Sequence, residues 1–395
     1  MTEKRFDILV VGAGLSGLLT AYALSLQGVK VAIIDKNDFC DSKNINFDFR
    51  TTAISEGSKL FLEKIDFWQK VSKYAEPIKK INVFDRKKTN KIEFENQEKK
   101  SFLGYIVENK YLKNSLIENL KNKKNVFLFP KSVLGQIVNS SEHINATVNK
   151  VKIKSKLLIA ADGKNSFVGK ITKMPIFKKN YKHQALVINL SHKENHNNIA
   201  YEIFSKKGPL AILPMKSKNK KNYRSSIVWS NEKQFLNNIT RLEDTYFTSL
   251  LNEHLSEYIG EVKNIYQKRI FNLSAHINSK FFSNNIVYIG DSAHSIHPIA
   301  GQGWNLAVRD IENLANSLQE GLNLGLDISD DFIGKNYNSL SFKNSFLMYQ
   351  ITDKLNSIFL LDRPIINNIR KIGFSIINNN KKLNNIISSF AMGKY

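Results

Sequence analysis

The first part of the chain alternates between apolar runs and a glycine-rich break. Residues 6–11, Phe-Asp-Ile-Leu-Val-Val, form an apolar run typical of a short buried strand. Residues 12–17, Gly-Ala-Gly-Leu-Ser-Gly, interrupt this run, and residues 18–27 then have helical character. A second apolar run, residues 29–34, ends at Asp35. The pattern therefore predicts a strand, a loop, a helix and a second strand that is followed by an acidic residue.

This unit has the features of a dinucleotide-binding fingerprint, and each residue type has a physical reason. Gly12 permits the tight turn, Gly14 lets a pyrophosphate approach the backbone, and Gly17 lets the helix pack on the strand. The helix N-terminus offers N–H groups and a partial positive charge to phosphates. Asp35 lies 23 residues after Gly12, where a carboxylate accepts hydrogen bonds from ribose hydroxyls. The fingerprint alone does not distinguish NAD from FAD.

Two later segments also predict strands that end in an acidic residue. Residues 157–163, Leu-Leu-Ile-Ala-Ala-Asp-Gly, read as a buried strand that ends at Asp162. Residues 286–305 again begin as a strand, reach Asp291, and pass through a Gly-Gln-Gly sequence into a helix. A strand-end acid far from the first unit can bind a second part of a long cofactor. The helix start can offer N–H groups to developing negative charge.

The remainder of the chain predicts a second sheet and a helical end. Alternating or apolar stretches at residues 185–190, 211–214 and 225–229 are typical of antiparallel strands. The segment Phe346–Met392 mixes apolar and basic residues at helical intervals. It predicts either packed C-terminal helices or a basic amphipathic surface that helps to collect lipid substrates from an anionic bilayer. Both interpretations stay open.

Composition narrows the class of protein. The chain has 395 residues, 42% hydrophobic and 24% charged, which is typical of a globular protein of two or three domains, or of one large domain. Its one cysteine, Cys40, predicts no disulfide and a reducing compartment. No run of 18 apolar residues occurs, and the first residues lead directly into a strand, leaving no room for a signal peptide. We expect a cytoplasmic protein.

The charge is strongly basic, with 58 Lys and Arg against 35 acidic residues, a net charge of +23 and a pI near 9.7. The basic residues are mostly lysines scattered among Asn and Ile, as in residues 216–222. Because no nucleic-acid-binding motif accompanies them, compositional drift is favoured and no nucleic-acid partner is expected. Attraction to an anionic membrane surface stays open.

Two other chemistries find little support. His294 and His297 have a spacing that suits a metal pair, but no acidic or cysteine partner lies near them in the sequence, so no metal is expected. A serine hydrolase is disfavoured because no Gly-x-Ser-x-Gly elbow follows a strand.

The three strand-end motifs, in this order and at these separations, resemble the FAD-dependent aromatic hydroxylases. These are the class A flavoprotein monooxygenases, whose prototype is para-hydroxybenzoate hydroxylase. More narrowly, the chain resembles the ubiquinone-biosynthesis hydroxylases over nearly its whole length. The segments that carry the narrower resemblance begin at Asp48 (DFRTTAIS), Gly104 (GYIVEN), Tyr181 (YKHQALV), Glu202 (EIF), Gly208 (GPLAILP), Gly301 (GQGWN) and Thr352 (TDKL).

The resemblance implies roles for individual residues. The three loop glycines would hold the FAD pyrophosphate, and Asp35 would hold the adenosine ribose, where the family more often has Glu. Arg50 and Asn109 match positions on the flavin phosphate or ribityl side. Asp162 belongs to a motif associated with FAD and nicotinamide contacts, and Asp291 would bond the ribityl chain.

Pro298 and the helix start at residues 301–305 would lie against the isoalloxazine ring. The cofactor-binding residues that the resemblance implies are therefore Gly12, Gly14, Gly17, Asp35, Arg50, Asn109, Asp162, Asp291, Pro298, Gly301, Gly303 and Asn305. Two departures stand out. Gly169 takes a position where the family usually has Arg, and Trp304 replaces a smaller apolar residue beside the flavin.

The expected fold is α/β, with a doubly wound, Rossmann-like FAD-binding domain and a substrate domain built on an antiparallel sheet. Residues 1–75, 100–175 and 270–330 are assigned to the FAD-binding domain, and residues 76–99 and 176–269 to the substrate domain. A helical region, residues 331–395, ends the chain.

The implied activity is that of a monooxygenase that uses FAD, NADPH or NADH, and O₂ to hydroxylate the ring of a polyprenylated phenol in ubiquinone biosynthesis. The flavin carries the chemistry, so no side chain is assigned as a catalytic acid or base. Expected partners are this substrate, the anionic surface of the inner membrane, and other ubiquinone-biosynthesis proteins. Two alternatives stay open: a lipid double-bond reductase of the same fold, and a non-catalytic FAD-stabilised scaffold of a biosynthetic complex.

Overall fold

A computed structural model describes residues 3–41, 48–85, 90–95, 102–140, 142–217, 222–297 and 301–393. Within these ranges the strands are β1 Lys4–Val11, β2 Val31–Ile34, β3 Thr51–Ser55, β4 Glu76–Ile78, β5 Lys80–Asp85, β6 Lys91–Glu95, β7 Gly104–Glu108, β8 Val126–Phe129, β9 Leu134–Asn139, β10 Ile144–Val148, β11 Val151–Ala160, β12 Ile176–His192, β13 Ile199–Phe204, β14 Leu210–Met215, β15 Tyr223–Glu232, β16 Val262–Asn278, β17 Phe282–Ser283, β18 Ile286–Tyr288 and β19 His294–Ser295. The helices are α1 Leu15–Ser25, α2 Glu56–Lys64, α3 Trp68–Val71, α4 Asn109–Lys121, α5 Phe167–Ile171, α6 Lys233–Thr240, α7 Asp244–Ile259, α8 Gln302–Asn323, α9 Asp331–Leu360, α10 Pro364–Asn379 and α11 Lys381–Ala391. Short 3₁₀ turns occur at Ser72–Tyr74 and Gly290–Ser292.

A parallel sheet forms the centre of the first domain. Its strand order is β17-β18-β11-β1-β2-β8, and β18, β11, β1, β2 and β8 run parallel to one another. All four residues of β2 are buried, as expected of a strand covered on both faces. Helix α1 packs against α4 and α8 beside the sheet. The strands β9 and β10 extend the sheet from β11 as an antiparallel pair.

The register of the parallel strands decides where the functional loops meet. Val11 pairs with Ala160 and with Ile34, and Ala160 pairs with Tyr288. Four neighbouring strands, β18, β11, β1 and β2, therefore end at one edge of the sheet. In open α/β sheets, ligands bind at this carboxyl edge.

The second sheet has the order β19-β16-β12-β15-β14-β13-β5-β6 and is antiparallel except where β13 lies parallel to β5. The long strands β12 and β16 pair along most of their lengths. One face of this sheet is covered by α6 and α7, whose apolar residues share a core with residues of β12, β14 and β15. Strands β5 and β6, from the 76–99 segment, join this sheet, and the boundary expected at residue 270 lies inside β16.

The remaining elements link the two sheets. Strands β3, β7 and β4 form a small antiparallel sheet, and α9 packs on α8. Helices α10 and α11 pack against each other and against β6. The end of the chain then returns to the first domain, where the Gly57 N–H donates to the Met392 carbonyl at 2.8 Å. This arrangement confirms the predicted fold class.

Among the described residues, none of the helices is both long and apolar enough to cross a membrane.

Candidate functional site

The loop between β1 and α1 is shaped by close backbone contacts. Gly12 has a φ of +104°, and a Cβ there would lie 2.4 Å from the carbonyl oxygen of Ala161. A Cβ on Gly17 would lie 1.9 Å from the Gly12 carbonyl oxygen. These two positions accept only glycine because of the protein's own backbone.

Gly14 differs from the other two glycines. It is the N-cap of α1 with a φ of −71°, and a Cβ on it would meet no atom within 4 Å in the part of the chain that the structure describes. The loop therefore leaves open space directly before a helix N-terminus, whose N–H groups and dipole favour an anion. This cradle fits the pyrophosphate of a dinucleotide.

Asp35 follows β2 and lies beside the same loop. Its Oδ2 accepts a hydrogen bond from the Ala13 N–H at 2.8 Å, and its Oδ1 accepts one from the Asn37 N–H at 2.8 Å. The side chain thus holds the glycine loop against the end of β2. A carboxylate has about four lone-pair sites, so both oxygens keep capacity for a ribose hydroxyl. The ribose contact stays a prediction.

Arg50 and Asn109 meet at Asp48, to which the sequence analysis gave no role. The Arg50 guanidinium donates to both carboxylate oxygens of Asp48 at 2.8 Å, and Lys113 Nζ donates at 2.9 Å. Asn109 Nδ2 lies 3.4 Å from Asp48 Oδ2, and Asn109 Oδ1 accepts from Thr52 Oγ1 at 2.6 Å. Burial raises the pKa of Asp48, but the Arg50 and Lys113 contacts outweigh burial and hold this pKa well below its usual range. The cluster fixes the Arg50 guanidinium in place.

Asp162 follows β11 and organises the short helix α5. Its Oδ2 accepts hydrogen bonds from the N–H groups of Phe167 at 2.6 Å and Val168 at 3.1 Å. Within the part of the chain that the structure describes, its buried Oδ1 has no hydrogen-bond partner. A buried carboxylate oxygen without a donor costs free energy, so this atom is a candidate acceptor for a cofactor group.

Asp291 lies in the 3₁₀ turn after β18, at the carboxyl edge of the sheet. The Asp291 side chain contacts solvent although many protein atoms surround it, as expected of a residue that lines a cavity. Burial raises the pKa of its carboxyl group, whereas the nearby His294, Lys164 and Arg50 act to lower it. The charges of Arg50 and Asp291 therefore interact. The roles of both residues in holding the cofactor stay predictions.

The turn that carries Asp291 is tied to α8 by a buried pair. His294 Nε2 lies 2.6 Å from Asp310 Oδ2, and the Gly290 N–H donates to the same oxygen at 3.2 Å. Burial lowers the pKa of His294, but Asp310 more than compensates, so the pKa is raised overall. The buried His294 side chain is thus paired with Asp310. Among the described residues, no three His, Cys, Asp or Glu side chains cluster in a way that holds a metal.

The start of α8 is built on Gly301, which has a φ of +62° and forms the N-cap. A Cβ on Gly303 would meet no atom of the described residues within 4 Å, so among these residues this turn is also open. The Asn305 side chain points back into the protein: its Oδ1 accepts from the Ser55 N–H at 2.9 Å, and its Nδ2 donates to the Ala53 carbonyl at 3.0 Å. Pro298 lies outside the described residues.

A second group of polar atoms lies where β12, α9 and the loop before α8 meet. Tyr181 donates to Asp353 Oδ1 at 2.9 Å, and its ring lies edge-on to His297 with 4.9 Å between ring centroids. Both ring nitrogens of the buried His297 have no hydrogen-bond partner within the described ranges. The same is true of Trp304 Nε1, in the first turn of α8. Burial, reinforced by His183, lowers the pKa of His297 to about 4, so its imidazole is neutral at pH 7. One nitrogen can then donate and the other can accept.

A glycine cradle at a helix start, flanked by acids after neighbouring parallel strands, defines a dinucleotide-binding protein of the Rossmann-like class. The profile described as FAD binding domain matches residues 5–325. Because this match spans most of the chain, the protein belongs to the FAD-binding domain family.

The relatives agree with this assignment. Ubiquinone hydroxylase UbiL from Rhodospirillum rubrum is 28% identical over 392 residues, which cover 99% of this chain and 90% of the relative. Ubiquinone biosynthesis monooxygenase COQ6 from Schizosaccharomyces pombe is 25% identical over 447 aligned residues, which cover 98% of this chain and 92% of the relative. These matches confirm the resemblance to the ubiquinone-biosynthesis hydroxylases.

Solved structures confirm the fold. p-Nitrophenol 4-monooxygenase PnpA from Pseudomonas putida superposes with a TM-score of 0.79 at 15% identity, covering 100% of this chain and 99% of that protein. PqsL from Pseudomonas aeruginosa, a probable FAD-dependent monooxygenase, gives a TM-score of 0.75 at 16% identity, with coverages of 90% and 97%. The expectation of an FAD-dependent monooxygenase, with FAD as its cofactor, is confirmed by the family and the relatives.

A substitution at Gly14 separates cofactor binding from folding. We expect Gly14→Val to fold normally but to lose its FAD, because the new side chain meets no atom of the described residues yet occupies the space before the helix N-terminus. The ratio of flavin to protein absorbance after purification measures the loss, and circular dichroism checks the fold. Gly373→Val, at another glycine whose Cβ would meet nothing within 4 Å, is the matched control and should keep its FAD. A stoichiometric flavin content in Gly14→Val would show that the loop does not hold the pyrophosphate.

Asp291 allows a quantitative test of the second contact. If its carboxylate bonds a cofactor hydroxyl, Asp291→Ala should weaken FAD binding by roughly ten- to a hundredfold, since such a bond contributes about 1.5–3 kcal/mol. Titration of the flavin-free protein with FAD, followed by flavin fluorescence, measures the dissociation constant. Asp331→Ala removes an exposed carboxylate paired with Lys335 and should leave this constant unchanged. Equal affinities of the wild type and Asp291→Ala would contradict the assignment.

Proposed function

We propose that this protein hydroxylates the aromatic ring of a polyprenylated phenol in ubiquinone biosynthesis, with NADPH or NADH as the electron donor. In this reaction one atom of O₂ enters the ring and the other leaves as water, while the nicotinamide is oxidised and one proton is consumed. The proposal rests on the open FAD-binding loop at the carboxyl edge of the parallel sheet. The chain is also similar over nearly its full length to a ubiquinone hydroxylase.

Bound FAD supplies the redox chemistry, namely acceptance of electrons from the nicotinamide and reaction with O₂. The protein's own residues supply binding and electrostatics. The N–H groups before α1 bind the diphosphate, and Arg50, fixed by Asp48, adds positive charge beside Asp291. The N-terminus of α8, with its dipole and open first turn at Gly303, favours negative charge on a group bound beside it.

The site also has groups suited to a phenol. The neutral His297 imidazole and the Trp304 indole N–H are buried without partners among the described residues. A phenol hydroxyl both donates and accepts hydrogen bonds, so His297 matches it in either orientation. We assign the substrate ring to this region, between the antiparallel sheet and the start of α8.

We also propose that the protein works at the surface of an anionic membrane. A polyprenyl phenol partitions into lipid, so the enzyme must meet its substrate at the bilayer or receive it from another ubiquinone-biosynthesis protein. The net charge of +23 supports the first route, because each Lys or Arg near an anionic surface contributes about 1 kcal/mol.

The activity is tested by the dependence of turnover on a phenol. We expect the FAD-loaded protein to consume NADPH or NADH, together with O₂, much faster when a prenylated phenol is present, and to form a hydroxylated product detectable by mass spectrometry. A phenyl ether of the same prenyl chain, which lacks the free hydroxyl, is the control substrate. Reduction of a prenyl double bond instead of ring hydroxylation would support a reductase. Absence of turnover with any phenol, in a protein that retains FAD, would support a scaffold.

Membrane attachment is tested by sedimentation with vesicles. We expect the protein to sediment with vesicles that contain phosphatidylglycerol and to remain in the supernatant with phosphatidylcholine alone. Binding should fall as salt is raised, because screening weakens the attraction between surface charges. Equal binding to both vesicle types, or no binding at low salt, would contradict the proposed attachment to an anionic membrane.

A further inference from the structure

Helix α10 is held firmly to the substrate sheet by one of its faces. Arg370 is buried, and its Nε donates to Asp85 Oδ2 of β5 at 3.0 Å. Its Nη1 also donates to the carbonyl groups of Ile358 at 3.0 Å and Leu361 at 2.9 Å. One helical turn later, Phe374 is buried in an apolar cluster with Phe359 and with residues of β6 and β13. The orientation of the helix about its own axis is therefore fixed.

The opposite face of α10 is an apolar stripe that contacts solvent. Ile365, Ile369, Ile372 and Ile376 are 73%, 54%, 58% and 50% exposed. Their spacing of four, three and four residues places them on one side of the helix, along about 16 Å of its length. We call these four residues the isoleucine stripe. Single exposed apolar residues are common, but a contiguous row of four marks an interaction surface.

The charges near the stripe indicate what covers it. Residues 363–395 contain six basic residues and no acidic residue. Of these, Lys371 on α10 and Lys381 and Lys382 at the start of α11 are exposed, and α11 presents a further exposed isoleucine, Ile386. An exposed apolar stripe bordered by lysines is the composition of a helix that lies in the interface of an anionic bilayer. A second copy of the chain would bring the same positive charges and would be repelled.

We propose that α10 is the membrane-docking helix of this protein. The isoleucine stripe enters the boundary between headgroups and acyl chains, while Lys371, Lys381 and Lys382 contact anionic headgroups. This inference rests on the proposed function, since it names the surface through which the protein meets the bilayer. The buried contacts of Arg370 and Phe374 keep the stripe pointed outward, so docking requires no rearrangement of the helix.

The experiment uses the full-length, FAD-loaded protein and the vesicles described above. We expect the double variant Ile369→Ser and Ile372→Ser to bind phosphatidylglycerol-containing vesicles about tenfold more weakly than the wild type. The matched control, Val138→Ser and Leu324→Ser, removes two apolar side chains of 59% and 63% exposure elsewhere, and should bind as the wild type does. Flavin content and circular dichroism establish that both variants are folded.

A single variant, Ile372→Trp, keeps the test valid if the serine variant does not fold. Its added tryptophan emission should shift to shorter wavelength with phosphatidylglycerol-containing vesicles, because the indole enters an apolar environment. If the wild type binds the vesicles, the serine variant binds them equally well and the emission of Ile372→Trp does not shift, then α10 is not the docking helix. The proposal that the protein binds a membrane would still stand. No binding by the wild type would overturn both. A wild-type dimer that the serine variant converts to a monomer would assign the stripe to self-association instead.

Discussion

The parallel pairing of β1 with β11 and of β11 with β18 is the constraint on which the site depends. Each pairing fixes where two chain segments far apart in sequence end relative to one another, with Val11 beside Ala160 and Ala160 beside Tyr288. The glycine loop, Asp162 and Asp291 follow these three strands. Their proximity is therefore a consequence of backbone hydrogen bonding, and the side chains need only extend from the strand ends. A shift of one residue in either pairing would misplace an acid relative to the loop.

The second requirement is that the loops at this edge keep their shape while leaving space for a ligand. Asp35 fixes the glycine loop, Asp48 fixes Arg50, and Asp310 fixes the turn that contains Asp291. These three carboxylates bond chiefly to protein donors. A site whose binding groups are already held in place loses little conformational entropy when the cofactor binds. These carboxylate side chains thus serve chiefly to position other groups of the site.

The sequence predicted the parts of the site that depend on local backbone geometry. The loop glycines could be recognised because they stand at a fixed spacing between an apolar strand and a helix, although the backbone contact that requires Gly12 is with Ala161, far along the chain. Asp48, Lys113 and Asp310 could not, because their roles depend on partners brought close only by the folded sheets. Asn305 shows the same limit, since its side chain bonds residues about 250 positions earlier in the chain. The boundary expected at residue 270 falls within β16 because this strand stays paired with β12 as far as Asn278, while its Ile277 side chain packs in the core of the first domain.

Because the end of the chain contacts Gly57, docking through α10 also affects the orientation of the first domain. Helix α10 is joined to the substrate sheet through Arg370 and Asp85, and the segment after α11 is joined to α2 through Met392 and Gly57. A bilayer that holds α10 therefore holds both domains in a single orientation. Under the proposed docking, the same side of both domains would always face the lipid. The side from which a lipid-dissolved substrate approaches the protein would thus be decided by the contacts at the end of the chain.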